Sequence, residues 1–517
     1  MDEELEAIEL VDESLEKPLK EIEVFPYQKA HFEKVVDILE NELAYLDVSA
    51  FGSGKTHICL AVAAVFQMKI LIVGPKTVLP NWMKICPMYG LELADALTYS
   101  GLRGNKRGYK HDWLQKSEDG ETFTATPEFV KLAKEGLLLV FDECHNLKND
   151  KSQQLNAAHE MVKTCNQIAK EGGNVRVACL SATPADKKEH ITSLFKILGI
   201  IHSENLYRYD RSSKTYISVG LQEAVNKCNR YDPDTTFHII CRPINKTTSK
   251  LICHQLYTRV LKKRIVSSMP EPPIEAQKDI KNLFAIMPPE DVERMKEGAL
   301  LFASATSYSQ ENGEVNYRSV KWGDVIRSRR EIDSAKVNTM VRLSKERLEE
   351  NPNCKVVLYF TFKRDMHESK RQLKKYNPIV MNGDVTKMEE RTKMMDNFQA
   401  NDNNYRVFIS NPKVGGLGVE LDDKFGNHPR FMFIAPSYMF IDQFQATGRI
   451  HRKETKSKAT VRFIYSREFP WETSLLNSIA EKSRVARDML TENNREVVFP
   501  GEYNEEIEKY PGEEEEI

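Results

Sequence analysis

The sequence predicts an α/β protein of two tandem lobes, each a mostly parallel sheet flanked by helices. Short β-branched or apolar runs end in loops rich in Gly, Ser, Thr or Asp, and helical periodicity fills the intervals. The pattern occurs twice, once up to about residue 215 and again over 334–470. Such alternation marks parallel strands covered on both faces. At 517 residues the chain is also too long for one compact core.

After an acidic N-terminal segment, residues 1–24, the first lobe is expected over 25–215. Its strands are "KILIVGP" (69–75), "LLLVFDE" (137–143) and "VRVACLSAT" (175–183). Residues 216–333 have weaker periodicity, a Pro-rich break "MPEPP" (269–273) and a basic run "IRSRR" (326–330), and read as a linker with inserted helices. The second lobe, 334–470, has strands at "CKVVLYFTF" (354–362), "YRVFISNP" (405–412), "RFMFIAP" (430–436) and "ATVRFIY" (459–465). A C-terminal helix is expected over 471–500, then an acidic, disordered tail over 501–517.

Charge is uneven. Residues 1–24 hold ten acids against two lysines, and 501–517 hold eight against one, so a net −2 chain has a body of +13 over 25–500. A basic body between acidic ends is compatible with a nucleic-acid partner. The longest apolar run, Ile58 to Phe66, is far short of a membrane span, so no membrane role is expected. Nine scattered cysteines without CxxC or zinc spacing point to free thiols in a reducing, intracellular compartment and to no structural metal.

"SAFGSGKTHI" (49–58) places Gly52, Ser53, Gly54, Lys55 and Thr56 at the start of an apolar helix. Glycines let the backbone wrap phosphates, whose charge meets amide N–H groups and the helix N-terminus. Lys55 would reach the terminal phosphates, and Thr56 would hold Mg²⁺ through its hydroxyl. The strict phosphate-loop pattern wants Gly at 49, where this chain has Ser. In "LLLVFDECHN" the strand ends at Asp142, which would orient Mg²⁺, and Glu143, which would be base toward the water attacking a γ-phosphate. Cys144 reads as a packed small residue. Ser181 and Thr183 of "LSATP" could hydrogen-bond the acid pair. "QATGRIHR" (445–452) spaces Arg449 and Arg452 three apart, on one face if the segment is helical.

With these motifs the chain resembles superfamily II helicases and translocases over roughly 22–470, and among them the Swi/Snf-like branch. "DECHNLKN" (142–149), "ILIVGPKTVLPNW" (70–82), "IVMNGDVTKMEERTKMMDNF" (379–398) and "ISNPKVGGLGVEL" (409–421) carry the likeness. "VFPYQKAHF" (24–32) resembles that family's adenine-reading segment, with Gln28 as reader. The resemblance implies RecA-like lobes with ATP, Mg²⁺ and nucleic acid bound at the inter-lobe cleft. It gives Arg449 and Arg452 the γ-phosphate and sets Gln445 near the attacking water. His145, Ser181 and Thr183 would couple that site to another surface. Nucleic-acid contacts would come from Lys76, Thr77, Thr361, Lys363, Ser410 and the amides of Gly415 and Gly416. Trp82 and Trp113 read first as packing residues and second as surfaces for stacking on a base, and the basic loop 103–113 reads equally as a nucleic-acid contact or a solvated loop.

Three departures from the branch stand out. Lys453-Glu454-Thr455 replaces Ile-Gly-Gln, Glu420 stands where Asn is usual, and Gly448 stands where Asp is usual. They mark a divergent member, of a kind similar to the transcription-associated helicases of large DNA viruses. The expected activity is Mg-ATP hydrolysis driving translocation on duplex DNA, with transcription or replication machinery as candidate partners. A strand-separating DNA or RNA helicase is the nearest alternative. A non-hydrolysing clamp would not need all of Lys55, Asp142, Glu143, Arg449 and Arg452, and a small-molecule kinase would need no second lobe.

Overall fold

The computed structural model describes residues 22–104, 111–118, 122–210, 215–241, 246–271, 274–305, 321–415, 419–492 and 497–511. In the first lobe the strands are β1 (Ala44–Asp47), β2 (Lys69–Gly74) and β3 (Leu93–Thr98). An antiparallel pair, β4 (Leu114–Lys116) and β5 (Phe123–Ala125), comes next, then β6 (Leu137–Asp142) and β7 (Val175–Leu180). A second antiparallel pair, β8 (Arg208–Asp210) and β9 (Thr215–Ile217), precedes the edge strand β10 (Val266–Ser267). The sheet runs β10-β1-β7-β6-β2-β3, all parallel. β6 is buried at every residue, which is why it is written as an unbroken apolar run up to Asp142. This order brings the ends of β1, β7 and β6 side by side at the C-terminal edge, where open α/β sheets bind ligands.

The second lobe is a sheet of β11 (Lys278–Ala285), β12 (Lys355–Tyr359), β13 (Ile379–Met381), β14 (Val407–Ser410), β15 (Arg430–Ile434), β16 (Ala459–Ser466) and β17 (Glu505–Ile507). Its order is β13-β14-β12-β15-β16-β11-β17, again all parallel. Both sheets carry helices and each has its own apolar core, as expected of RecA-like lobes.

Two expectations change. The segment 216–333 is not merely a linker with inserted helices, because it adds a strand to each sheet. Its helices between Val219 and Ile265 pack on the first lobe through Leu221, Val225, Leu256 and Tyr257, and β10 closes that sheet's edge. β11 then opens the second sheet, paired with β16 along its whole length. It escapes sequence reading because its charges are matched sideways: Asp279 takes Arg462 at 2.9 Å, and Lys281 meets Glu506 at 3.4 Å.

The acidic tail is likewise ordered as far as residue 511, with 512–517 and 1–21 outside the described residues. Glu506 accepts from Arg462 at 2.9 Å, and Glu508 takes both ends of Arg342 at 2.7 and 2.8 Å, so opposite charges hold β17 on the sheet edge.

The helix Glu472–Met489 follows the second lobe's last long strand but packs on the first. Leu475, Ile479, Ala486 and Met489 join the first lobe's core, and Tyr257 donates to the Met489 carbonyl at 3.0 Å. Its start is held in the second lobe by a buried ion pair between Glu472 and Lys336. This helix therefore straddles the seam.

Candidate nucleotide site at the lobe seam

β1 ends at Asp47, and the next residues form the phosphate loop leading into the helix Lys55–Val65. Gly52 and Gly54 have φ of +73° and +97°, which L side chains rarely adopt. Gly54 is doubly required, since a Cβ there would lie 2.3 Å from Gln28 Nε2. Gln28 is fully buried, donates to the Ser53 carbonyl at 2.9 Å and accepts from Phe25 N at 3.1 Å. Lys55 Nζ donates to the carbonyls of Ser49 at 2.9 Å and Ala50 at 3.0 Å, arching over the loop.

Ser49, the departure from Gly, has a job of its own. Its hydroxyl donates to Asp47 and accepts from Met269 N at 2.8 Å, while His31 bridges Asp47 at 3.0 Å and Ser267 at 2.8 Å. The loop is thereby tied to the strand that leads out of the first lobe.

Asp142 sits at the end of β6 with Oδ2 accepting from Trp82 Nε1 at 3.0 Å, and its carbonyl accepts from Tyr99 at 2.7 Å. Burial, then the neighbouring Glu143 charge, pushes its carboxyl up to about 6. Glu143 turns into the left-handed region, φ +53°, which directs it away from the strand. Burial would raise it too, but the His145 hydrogen bond and the charges of His145, Lys55 and Arg449 hold it below the usual range. His145 Nδ1 lies 3.3 Å from Glu143 and 3.1 Å from Ser181 Oγ, which in turn accepts from Thr183 N at 3.2 Å. The three coupling candidates thus form one chain of contacts with the acid.

From the second lobe, Gln445 Nε2 donates to Glu143 Oε2 at 3.3 Å. Gln445 lies on the helix Phe440–Thr447, which stops at Gly448. Arg449 and Arg452 are therefore not on the helix face the spacing suggested, but in the turn and irregular segment that follow the helix end at Gly448. Arg449 is buried, and burial, then the Arg452 charge, draws its guanidinium down to about 9. Arg452 pairs with Glu420 at 2.9 Å and donates to the Val419 carbonyl at 3.3 Å.

Gly448 faces Phe51 of the phosphate loop, whose Cδ2 would lie 3.6 Å from an added Cβ. The aspartate usual in the branch would set a carboxylate against that ring. Phe51 also packs on Phe444, with ring centroids 5.5 Å apart, and Phe444 on Phe499 at 4.7 Å, so aromatics close the seam beside the site.

The residues fit a magnesium nucleotide. Gly52 and Gly54 form a backbone cradle at a helix N-terminus, and Thr56 with Asp142 offers the hard oxygens that Mg²⁺ takes. Phosphate oxygens of the nucleotide and water would complete the coordination.

The nucleic-acid candidates are uneven. Lys76 and Thr361 are exposed in turns after β2 and β12, and Thr77 is half-buried beside Lys76 with its hydroxyl enclosed. Lys363 is exposed and pairs with Asp384. Ser410 does not belong with them: it is buried and donates inward to the Met381 carbonyl at 2.6 Å. Gly415 ends the short helix Pro412–Gly415, and Gly416 lies outside the described residues, as does most of the basic loop 103–113. Neither tryptophan is an open stacking surface. Trp82 is fully buried, and Trp113 is half-buried and donates to Asp95 at 2.7 Å.

Sequence reading missed Trp82 and Tyr99 as partners of Asp142, the Ser49–Met269 tie, and Phe51 against Phe444. Only the first left a signal, a tryptophan within a motif already noted. A cavity of about 740 Å³ also opens on the seam, of mixed charge, bordered by Lys187, Lys250, Lys413 and Lys482 and by Asp186, which pairs with Lys148, and Asp442.

Residues 21–186 match the family described as "Type III restriction enzyme, res subunit". The chain is 25% identical over 479 residues, 89% of its length and 82% of the relative's, to a protein of Acanthamoeba polyphaga mimivirus described provisionally as an ATP-dependent RNA helicase. A shorter stretch of 84 residues, 16% of each chain, is 34% identical to a protein of Orgyia pseudotsugata multicapsid polyhedrosis virus, described provisionally as a global transactivator. Among solved structures, the SWI2/SNF2 ATPase core of Sulfolobus solfataricus in complex with dsDNA aligns over 94% of this chain and 99% of that one. Identity there is 14% and the TM-score 0.30, a superposition too loose to carry detail across. With the phosphate loop, the acid pair and Gln445 of the second lobe bonded to Glu143, these sequence matches point to an ATP-hydrolysing enzyme similar to helicases.

Proposed function

We propose that the chain hydrolyses Mg-ATP at the seam and uses lobe closure to move along duplex DNA, displacing bound protein or transcript without separating the strands. The observation that carries this reading is the hydrogen bond from Gln445 to Glu143, which puts a second-lobe side chain on the base of the first lobe's site. A group that binds ATP in one lobe and completes hydrolysis from the other makes chemistry depend on closure.

Glu143, held below the usual carboxylate range, stays ionised at neutral pH and can take the proton of the attacking water. Gln445 would orient that water. Lys55 would leave its loop carbonyls for the phosphates, and Arg449 with Arg452 would meet charge developing on the γ-phosphoryl. Mg²⁺ bound with the nucleotide would neutralise phosphate charge and align the leaving group. Arg449, with its pKa near 9, is still a cation at neutral pH.

The seam cavity brings lysines of both lobes beside the His145–Glu143 contact, Lys187, Lys250 and Lys413 among them, and its lysines outnumber the four acids in its lining, offering a polyanion partial charge complementarity. Exposed Lys76 and Thr361 extend the surface available to phosphates, which position a strand without reading its sequence. Transcription or replication machinery would be the cellular partner, inside a reducing compartment suited to nine free thiols. The likeness to the Swi/Snf branch favours duplex DNA. The mimivirus relative's description favours a second reading, an RNA-unwinding enzyme.

One experiment separates them. ATP hydrolysis is measured with no nucleic acid, duplex DNA, single-stranded DNA and structured RNA, alongside displacement of a third strand from a DNA triplex. Duplex-stimulated hydrolysis with triplex displacement is expected. Stimulation by RNA or single strands alone, with no triplex displacement, contradicts translocation on duplex DNA.

A further inference from the structure

The fully buried Trp82 was a candidate for base stacking, a role its burial rules out. We infer that it is a positioning residue for Asp142: its indole N–H fixes one carboxylate oxygen, leaving the other to face a divalent cation held with the nucleotide. This rests on the nucleotide site proposed above.

Trp82 lies on the helix Leu79–Met88, which starts directly after the turn leaving β2. Its placement brings the ring across to the end of β6. Gly74, the last residue of β2, makes that approach possible, since a Cβ there would lie 3.0 Å from Val78 Cγ2 and 3.4 Å from Asp142 Cβ. A buried indole N–H needs an acceptor, and a neutral backbone carbonyl would serve packing alone. Here the acceptor is the Asp142 carboxylate, Oδ2 at 3.0 Å.

Tyr99, also buried, donates to the Asp142 carbonyl at 2.7 Å, so backbone and side chain are fixed separately. Hydrogen bonds to an ionised acceptor are short and directional. With Oδ2 held by Trp82 and the Glu143 amide also donating to the carboxylate, the lone pairs that remain are those available to the cation or its water. Groups that orient a metal's ligand from behind are worth about 10- to 100-fold in metal affinity.

The test uses the full chain and needs neither hydrolysis nor nucleic acid. ADP binding is measured in EDTA and across a MgCl₂ titration for wild type, Trp82→Phe and Trp113→Phe. Phenylalanine keeps an aromatic ring and removes only the donor. The expected result for Trp82→Phe is a half-saturating Mg²⁺ raised about 10-fold or more, with metal-free ADP affinity unchanged and Trp113→Phe like wild type. A purely structural role would lower metal-free ADP affinity or the melting temperature while leaving the Mg²⁺ dependence alone, and that result overturns the inference.

Should Trp82→Phe fail to fold, a second protein decides. The variant Trp113→Phe/Trp322→Phe/Trp471→Phe keeps Trp82 as the sole tryptophan of the chain's four. Paramagnetic Mn²⁺ with ADP should quench its emission, and Mn²⁺ without nucleotide should not. Unquenched emission at saturating Mn²⁺ and ADP overturns the inference. A wild-type chain whose ADP binding ignores the metal overturns the proposed site as well, whereas metal-dependent wild type with an unchanged Trp82→Phe overturns this inference alone.

Discussion

At the scale of single residues, the pair Arg452–Glu420 would decide, on the proposed function, how readily Arg452 reaches a phosphate. The carboxylate that replaces the branch's usual asparagine holds the guanidinium at 2.9 Å, and Lys424 holds Glu420 in turn at 2.6 Å. ATP must compete for Arg452. Glu420→Gln should therefore lower KM for ATP by up to about fivefold, the worth of a part-exposed ion pair. A steady-state titration without nucleic acid checks this, and an unchanged or raised KM speaks against it. The two acids at the end of β6 divide by environment. Asp142 sits near 6 and Glu143 lies low, and both must be ionised in the free enzyme to bind the metal nucleotide and activate water. Raising pH through about 6 turns the site on, so kcat/KM for ATP should fall as pH drops below that value. A profile flat down to pH 5 would mean that Asp142 is not the limiting group.

At the scale of elements, strands carrying their own apolar runs were legible and strands completed by neighbours were not. β2, β6 and β7 are buried and read as strands directly. β11 and β17 read as linker and tail because Lys278, Asp279, Lys281, Glu505 and Glu506 break any alternation, and the charges of Asp279, Lys281 and Glu506 are met only across the sheet. The helix holding Gln445 was legible, but its end was not. It stops at Gly448, which lies against Phe51 of the other lobe. The C-terminal strap gives the sharpest test at this scale. Removing residues 501–517 strips Glu508 from Arg342, Glu506 from Arg462 and Tyr503 from the second core, and opens the edge of β11. The melting temperature of that lobe should drop by several degrees, since about 1 kcal/mol moves a domain of this size by roughly 2–4 °C. Removing only 512–517 should leave it unchanged. Equal melting curves for both truncations would contradict a structural role for β17.

At the scale of the whole molecule, two lobes meet where the proposed site lies. The motif residues of each lobe could be named from sequence, because phosphate chemistry restricts which residue types serve. Their meeting was expected only through the resemblance, which set Gln445 near the water that Glu143 would activate, because the Gln445–Glu143 bond spans residues 302 apart and no local pattern encodes it. That seam is held by Phe51, Phe444 and Phe499 near the nucleotide and by the helix Glu472–Met489 farther along. The central claim is that the second lobe supplies part of the chemistry. Arg449→Ala tests it most directly, in a single-turnover measurement of ATP hydrolysis with saturating nucleic acid and nucleotide binding followed on the same sample. The expected result is a rate lower by about 10³-fold, with nucleotide still bound. Hydrolysis at the wild-type rate would show that the first lobe acts alone and would contradict the account.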